Sequence, residues 1–254
     1  MNRTRLTATL CFLAAPALHA QERLPGVQVE GRTPCRIHPG SAAETAALWL
    51  VARQALESAT GPSARPPVLT TVEWRRTLDR AQRLRRERLD TQRVATRNPF
   101  ASPVPGNLER AGYVQQHGLR TVYYGPDAEL LLSERFLRAH CFRRIEGTGA
   151  NSGLAGLAFE PLPRANRPDV AGVLWIDSAR EELLRVEYAW TNAPEEARAP
   201  GVGGRAEFSR LAGGGWIIRR WNIRMPRPAA GLNAGYDGYT DQGGEVLTVS
   251  APPP

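Results

Sequence analysis

The chain has no lysine, only four histidines and only three cysteines in 254 residues. Beyond the N-terminal leader described below, the histidines are His38, His117 and His140. None of them lies at a spacing that holds a metal ion, and the chain has no H-E-x-x-H or C-x-x-C motif. The G-x-S-x-G nucleophile elbow of hydrolases is also missing. The sequence therefore predicts no catalytic residue, no metal site and no cofactor.

Long apolar runs are also missing, apart from one at the N-terminus. Residues 1–20 have the pattern of a signal peptide: Arg3 and Arg5 are followed by a mostly apolar run from Leu6 to Leu18, and cleavage is predicted after Ala20. The run is too short to span a bilayer. We expect an exported protein, periplasmic or extracellular, with no transmembrane anchor after cleavage.

Removal of the signal would leave two cysteines, Cys35 and Cys141. Two cysteines in an oxidising compartment most simply form a disulfide, and two buried thiols are the alternative. A bridge closing a loop of roughly a hundred residues contributes up to about 4–5 kcal/mol in the chain-entropy model. The compartment alone favours the bridge.

The basic residues are all arginine, and the formal net charge is +8. Removing Arg3 and Arg5 with the signal gives 8 − 2 = +6. Such a charge can indicate binding to nucleic acid or acidic lipid. However, arginine without lysine is typical of GC-rich coding, and the only dense cluster runs from Arg75 to Arg97. Together with export, this spread predicts no nucleic-acid partner.

The segment from Asp169 to Pro226 has the two-residue periodicity of consecutive antiparallel strands. The predicted strands are Val170–Asp177, Leu183–Thr191, Arg205–Leu211 and Trp216–Met225. Gly213–Gly215 supplies a turn, and Pro226 is expected to end the fourth strand. Ile217 is expected to share the apolar face of that strand with Trp221. The predicted apolar face, which is also the candidate ligand face, comprises Leu184, Val186, Tyr188, Trp190, Phe208, Trp221 and Ile223.

A helix is predicted over Ser41–Ala59. Ser41 and Glu44 form an S-x-x-E capping box, and Gly61-Pro62 follows as a stop signal. Its apolar stripe, formed by Leu48, Val51, Ala52, Ala55, Leu56 and Ala59, is expected to cover the apolar face of the sheet. The alternative is that the sheet curves and leaves an apolar cavity there for a lipid or similar ligand. The predicted fold is thus α+β, a curved antiparallel sheet resembling a half-barrel meander, covered by one N-terminal helix.

Two interpretations remain open for residues 67–97. Val72 and Trp74 alternate with polar neighbours, which favours a long hairpin turning near Asp79–Gln82. The alternative is an arginine-rich amphipathic helix.

Elsewhere, we expect an extended segment over 21–40, one domain over 41–250 and a disordered tail over 251–254. Within that domain the predictions are a loop over 98–120, a strand at Thr121–Tyr124, a short helix capped by Asp127 or Ser133 and running through Leu137 and Cys141, a strand at Leu154–Leu162, a loop containing Tyr236 and Tyr239, and a strand at Glu245–Val249.

The segments FLRAHCF (136–142), GLAFEP (156–161), GVLWID (172–177) and GWIIRRW (215–221) resemble an uncharacterised family of bacterial secreted proteins. Its members are labelled carboxypeptidase regulatory-like domain proteins. The resemblance extends to Cys35 and to residues 243–247. The label refers to a small β-sandwich that precedes this region, of which only residues 26–31 could remain here. It implies no peptidase chemistry.

One helix followed by a long meander with a Leu-Trp-Ile-Asp hairpin is also similar to periplasmic lipoprotein-carrier proteins, whose open half-barrel holds acyl chains. This second resemblance concerns the fold. It implies an apolar or lipidic ligand on the concave face of the sheet, and hence a non-enzymatic envelope protein. The alternatives are a protein-interaction module, binding an envelope partner through sheet edges and the Arg-rich hairpin (Arg85, Arg86 and Arg88), and an enzyme of unrecognised type.

Overall fold

The computed structural model describes residues 42–61, 66–100, 102, 105–118, 120–162, 167–229 and 235–251. The strands in these ranges are β1 Val68–Leu78, β2 Leu84–Ala95, β3 Val114–His117, β4 Arg120–Tyr123, β5 His140–Glu146, β6 Ala155–Pro161, β7 Asp169–Asp177, β8 Glu182–Thr191, β9 Gly203–Arg210, β10 Trp216–Pro228 and β11 Tyr236–Ser250. The α-helices are α1 Ala42–Thr60, α2 Pro105–Ala111, α3 Ala128–Leu132 and α4 Glu134–Ala139.

Nine of these strands form one open, curved antiparallel sheet in the order β2-β1-β11-β10-β9-β8-β7-β6-β5. Strands β5 to β10 follow one another as a meander, and β11 brings the chain back between β10 and β1. Strands β3 and β4 form a separate hairpin. The predicted α+β fold with a curved antiparallel sheet is confirmed.

Helix α1 packs on one face of the sheet, which we call the helix face; the opposite side is the outer face. The helix contacts β5, β6, β7, β8 and β10, as well as α3. All residues of the predicted stripe are buried except Val51, which is half-buried against the core. The helix ends at Thr60, where the N–H of Gly61 donates to the carbonyl of Glu57 at 2.7 Å. The proposed cap, Ser41, lies outside the described residues.

Residues 67–97 form the predicted hairpin, and the helical alternative is wrong. Strands β1 and β2 pair along their whole length. Asp79 holds the turn, because its carboxylate accepts from the backbone N–H and the guanidinium of Arg83, both at 2.9 Å. Gln82 adopts φ of 59°, a left-handed conformation that closes the turn.

Two β-bulges change which residues reach the core. Trp175 pairs with Arg185 and Ile176 pairs with Leu183, so Leu184 is an extra residue on β8. Leu183 is therefore fully buried in the core, whereas Leu184 is half-buried. A bulge inserts one residue and reverses the alternation beyond it.

The second bulge lies in β10. Ile218 pairs with Phe208 and Arg220 pairs with Glu207, which makes Arg219 the extra residue. Ile218 joins the main core, and Ile217 packs instead in a small separate cluster with residues of β1 and β11. The prediction that Ile217 shares the face of Trp221 is therefore wrong.

Strand β10 also continues past Pro226 to Pro228, contrary to the predicted stop. Strand β9 ends opposite Arg224, so the last residues of β10 pair with β11 alone. Proline is tolerated in such an edge segment, because one side of the strand needs no ladder hydrogen bond. Tyr236 and Tyr239, predicted in a loop, lie in β11, which is much longer than the predicted strand.

The middle of the chain is more regular than predicted. Residues 98–120 include α2 and β3 rather than only a loop. Both predicted caps are used: the Asp127 carboxylate accepts from Leu130 N–H at 2.8 Å and begins α3, and the Ser133 hydroxyl accepts from Phe136 N–H at 3.2 Å and begins α4. The predicted single helix is therefore split in two, and Cys141 lies in β5.

The outer face carries rows of alternating charge across neighbouring strands. One row runs Arg224, Asp241, Arg76 and Glu87 over β10, β11, β1 and β2. A second row runs Arg185, Glu207, Arg220 and Glu245 over β8 to β11. Residues directly opposite each other in antiparallel strands lie on the same face, and opposite charges there are stabilising. The unlike charges in these rows therefore favour the observed register of the sheet.

Two carboxylates of the outer face are buried, and each binds a tryptophan and an arginine. Asp241 accepts from Trp74 Nε1 at 2.9 Å and from Arg224 Nη2 at 2.7 Å. Glu187 accepts from Trp175 Nε1 and from Arg185 Nε, both at 2.9 Å. Buried charges persist when they are paired and hydrogen-bonded in this way.

Candidate functional site

Most of the predicted ligand face lies in the main core. Five of its seven residues are buried there: Val186, Tyr188, Trp190, Phe208 and Trp221. Tyr188 is 3% exposed and Trp190 is 2% exposed. The space that was predicted to hold a ligand at these positions is occupied by the packed core.

Ile223 differs from these residues, because it is only half-buried at the margin of the core. Met225, two residues further along β10, is half-buried as well. Helix α1, β4 and the 3-10 turn at Glu195–Arg198 contact β10. The main contacts of α1 do not extend to β11, β1 or β2. The helix face therefore continues beyond the core, across three strands.

Two rows of residues cross this part of the helix face. The Ile223 row runs Ile223, Gln242, Arg75 and Arg88, one residue each from β10, β11, β1 and β2. The Met225 row runs Met225, Thr240, Thr77 and Arg86 over the same strands. Both rows change from apolar and half-buried at β10 to arginine and exposed at β2. Three strand spacings of roughly 4.8 Å separate their ends by about 14 Å.

Tyr188 carries an unusual polar group inside the core. Its hydroxyl is buried and has no hydrogen-bond partner among the described residues. Gly125 and Gly204 make room for it, since a Cβ on either would lie within about 2 Å of the hydroxyl oxygen. Burial raises the pKa of Tyr188 above its ordinary value, and the nearby Asp127 carboxylate raises it further. The phenol is thus neutral at physiological pH.

Two other buried groups near Tyr188 also favour their neutral forms. Burial raises the pKa of Asp127, although hydrogen bonds from Leu130 and Ser102 N–H oppose the change. Burial likewise raises the pKa of Tyr113, and the carboxylates of Asp169 and Asp127 add to the effect. This side of the core is therefore a low-dielectric region that contains several polar groups.

His140 lies in a small polar cluster beside this region. Its Nε2 is 3.3 Å from Asp169 Oδ1 and 3.1 Å from the Val170 carbonyl, and its Nδ1 is 3.0 Å from the Phe136 carbonyl. The ring stacks on Phe136 at 3.8 Å. The adjoining cavity, with Tyr113 and Arg167 in its lining, measures about 20 Å³, enough for one water molecule. The cluster links α4, β5 and β7 through polar contacts.

Other predicted features can be located in part. The described residues contain no group of three potential metal ligands. No helix in the same ranges is long and apolar enough to cross a membrane. Cys141 is buried at the start of β5, but Cys35 lies outside the described residues, so their pairing stays a prediction. In the Arg-rich hairpin, Arg85 is ion-paired with Asp79 at 2.8 Å.

Sequence reasoning did not place Arg75, Gln242 and Thr240 at the site. Gln242 and Thr240 lie in the segment predicted as a loop and before the predicted last strand. The pairing of β11 with β1 joins residues about 170 positions apart, as in the register Arg75 with Gln242. The period-two pattern of β1 was the available signal, because it places Arg75 on the face opposite Trp74.

Comparisons with known proteins give little further information. No protein-family model matches the chain, and no curated protein matches it. Among solved structures, the chain is similar to a DUF1329 family protein from Desulfovibrio piger, with 9% sequence identity and a TM-score of 0.34. The alignment covers 81% of this chain and 92% of the Desulfovibrio piger chain. A likeness at this level carries no argument about fold or function.

Proposed function

We propose that this protein is exported and binds an apolar or lipidic ligand on the helix face of its sheet, without catalysing a reaction. The observation that carries the proposal is the continuation of the helix face past the packed core. Ile223 and Met225 leave part of their apolar surface at the margin of the core, and the main contacts of α1 end at β10 without reaching β11, β1 or β2. The signal-like N-terminus supports export.

The proposed site differs from the one expected from the sequence. Tyr188, Trp190 and Phe208 are buried in the core, and Tyr188 and Trp190 pack against the segment 123–125, so a ligand could reach them only if this packing opened. Ile223 needs no such movement, because it is half-buried at the margin. The ligand is therefore expected to lie along the Ile223 and Met225 rows, with its apolar part at β10.

The first test is chemical. The exported protein is purified without detergent, extracted with organic solvent and analysed by mass spectrometry. A lipid or other apolar compound recovered in near-stoichiometric amount supports the proposal. If the extract contains no such compound, a direct measurement decides: the displacement of an uncharged fluorescent probe, N-phenyl-1-naphthylamine, by dodecanoate.

The displacement measurement has a matched pair of variants. Ile223→Asn places an amide on the helix face, and Val72→Asn makes the same kind of change at a half-buried position of the outer face. Loss of a buried apolar contact predicts about tenfold weaker dodecanoate binding for Ile223→Asn. Val72→Asn should bind like the wild type. Equal affinities in all three proteins, or no binding in any, would contradict the proposal.

A further inference from the structure

The hairpin of β1 and β2 has opposite charge arrangements on its two faces. On the outer face, Arg76 lies opposite Glu87, and the two form a salt bridge with 2.6 Å between Arg76 Nε and Glu87 Oε1. On the helix face, the adjacent residue Arg75 lies opposite Arg88. Unlike charges directly opposite stabilise a strand pair and like charges destabilise it. In this part of the hairpin the outer face therefore pairs unlike charges, whereas the helix face pairs two arginines.

No ion pair relieves this imbalance within the described part of the chain. Arg75, Arg86 and Arg88 are exposed, and none of them is bridged to a carboxylate of the described residues. The nearest acidic residues on the same face are Glu73 and Asp90, which lie opposite each other in the next row. The positive and negative charges thus form separate rows, instead of alternating as on the outer face.

The three arginines lie on β1 and β2, at the opposite end of the two rows from Ile223 and Met225 on β10. The short polar side chains of Thr240 and Thr77 and the amide of Gln242 lie between the arginines and the apolar residues of β10. An elongated ligand lying along these rows would have its apolar end at β10 and its other end among guanidinium groups. Arginine binds carboxylate and phosphate groups by charge-assisted hydrogen bonds.

We propose that the ligand is an anionic amphiphile, a long-chain carboxylate or phosphate, whose head group binds Arg75, Arg86 and Arg88. This inference rests on the proposed function, and it adds the charge and orientation of the ligand. The head group supplies the negative charge that the Arg75–Arg88 pair lacks. Repulsion from Glu73 and Asp90 keeps the head group beside the arginines and away from the row that contains these two carboxylates.

The test compares ligands that share a chain and differ in the head group. Dodecanoate, dodecyl phosphate and the neutral dodecanol are titrated into the full-length exported protein, below their micelle concentrations and at low salt. We expect both anions to bind at least about tenfold more tightly than dodecanol, since charge-assisted hydrogen bonds to arginine form only with an anionic head group. Added salt should reduce this difference.

The variants Arg75→Gln and Arg88→Gln should each weaken dodecanoate binding by about tenfold and leave dodecanol binding unchanged. Arg76→Gln is the matched control, because it removes a neighbouring arginine of the same strand from the outer face; its affinity should stay within about twofold of the wild type. Glu73→Gln should tighten dodecanoate binding. Thermal unfolding without ligand checks the fold, and Arg88→Gln should be at least as stable as the wild type because it removes a like-charge pair.

The results separate the two proposals. Tighter binding of the anions that depends on Arg75 and Arg88 supports the inference. Equal binding of dodecanoate and dodecanol, unaffected by the arginine variants, overturns the inference and leaves the proposed function in place. If no ligand of the three binds the folded protein, the proposed function fails and the inference fails with it.

Discussion

The buried carboxylate of Asp241 provides the sharpest prediction about the stability of the sheet. Its side chain is 3% exposed, and Oδ2 accepts from Arg224 Nη2 at 2.7 Å and from Nε at 3.0 Å. Oδ1 accepts from Trp74 Nε1 at 2.9 Å. Asp241→Ala removes all three hydrogen bonds and leaves a guanidinium that is only 16% exposed without its carboxylate. Breaking a buried ion pair on one side costs about 3–5 kcal/mol.

The lower end of that range is expected here, because Arg224 keeps a hydrogen bond to Gln82 Oε1 at 2.8 Å. We therefore expect Asp241→Ala to lower the free energy of unfolding by about 3 kcal/mol. Asp241→Asn, which retains the acceptor for Trp74 but not the charge, should cost about 2 kcal/mol.

The matched control is Asp237→Asn, which alters a carboxylate of the same strand that is 41% exposed and 3.1 Å from Arg227. An exposed pair of this kind contributes less than about 1 kcal/mol. Urea unfolding, followed by tryptophan fluorescence, gives the free energy of unfolding of all three variants. An unchanged slope of this free energy against urea concentration indicates that the variants unfold in two states like the wild type. A loss for Asp241→Ala no larger than that for Asp237→Asn would refute the account of the outer face.

Four further predictions concern other side chains. Tyr188→Phe should raise the free energy of unfolding by about 1 kcal/mol, because it removes a buried hydroxyl without a partner in the described part of the chain; a loss of stability would show that the hydroxyl is bonded. Because burial raises the pKa of Asp127, its contribution to stability is complete below about pH 4 and is lost as the pH rises. The free energy of unfolding of Asp127→Asn should therefore rise relative to that of the wild type as the pH increases above about 4, and a difference that does not change with pH would contradict this. Burial raises the pKa of Tyr123 to about 12, so the contribution of its neutral phenol to stability persists to about pH 10 and is lost towards pH 12. In the alkaline absorbance titration, Tyr123→Phe should lack one tyrosine ionisation near pH 12. If Cys35 and Cys141 form a disulfide, alkylation of the native protein should add no mass until a reductant is present, and two labelled thiols without reductant would contradict it.

The helix, the hairpin and the meander could be predicted because their signals are local. The stripe of α1 appears at a spacing of three and four residues, and the turn at Asp79 lies between two alternating segments. The alternation was misleading where a bulge inserts a residue, at Leu184 and at Arg219. A bulge has no strong signal in the sequence of the bulged strand, because it depends on the register with the partner strand.

The candidate site could be predicted only in part for a related reason. Ile223 and Trp221 were correctly placed on the helix face, but Trp221 is buried and Ile223 is only half-buried, and this difference depends on the elements that pack over β10, namely α1, β4 and the 3-10 turn at Glu195–Arg198. The meeting of Arg75 with Gln242 depends on the pairing of β11 with β1, which follows from the topology of the whole sheet. Long-range antiparallel pairing of this kind leaves no periodic trace that connects the two segments.

Met225 allows a direct test of the central claim that a ligand binds on the helix face at β10. The chain has two methionines, Met1 and Met225, and removal of the predicted signal would leave Met225 alone. The protein labelled with [13C-methyl]methionine would then give one methyl signal from the proposed site. We predict that this signal shifts and saturates as dodecanoate is added. A signal that stays unchanged while the rest of the protein remains folded would contradict it.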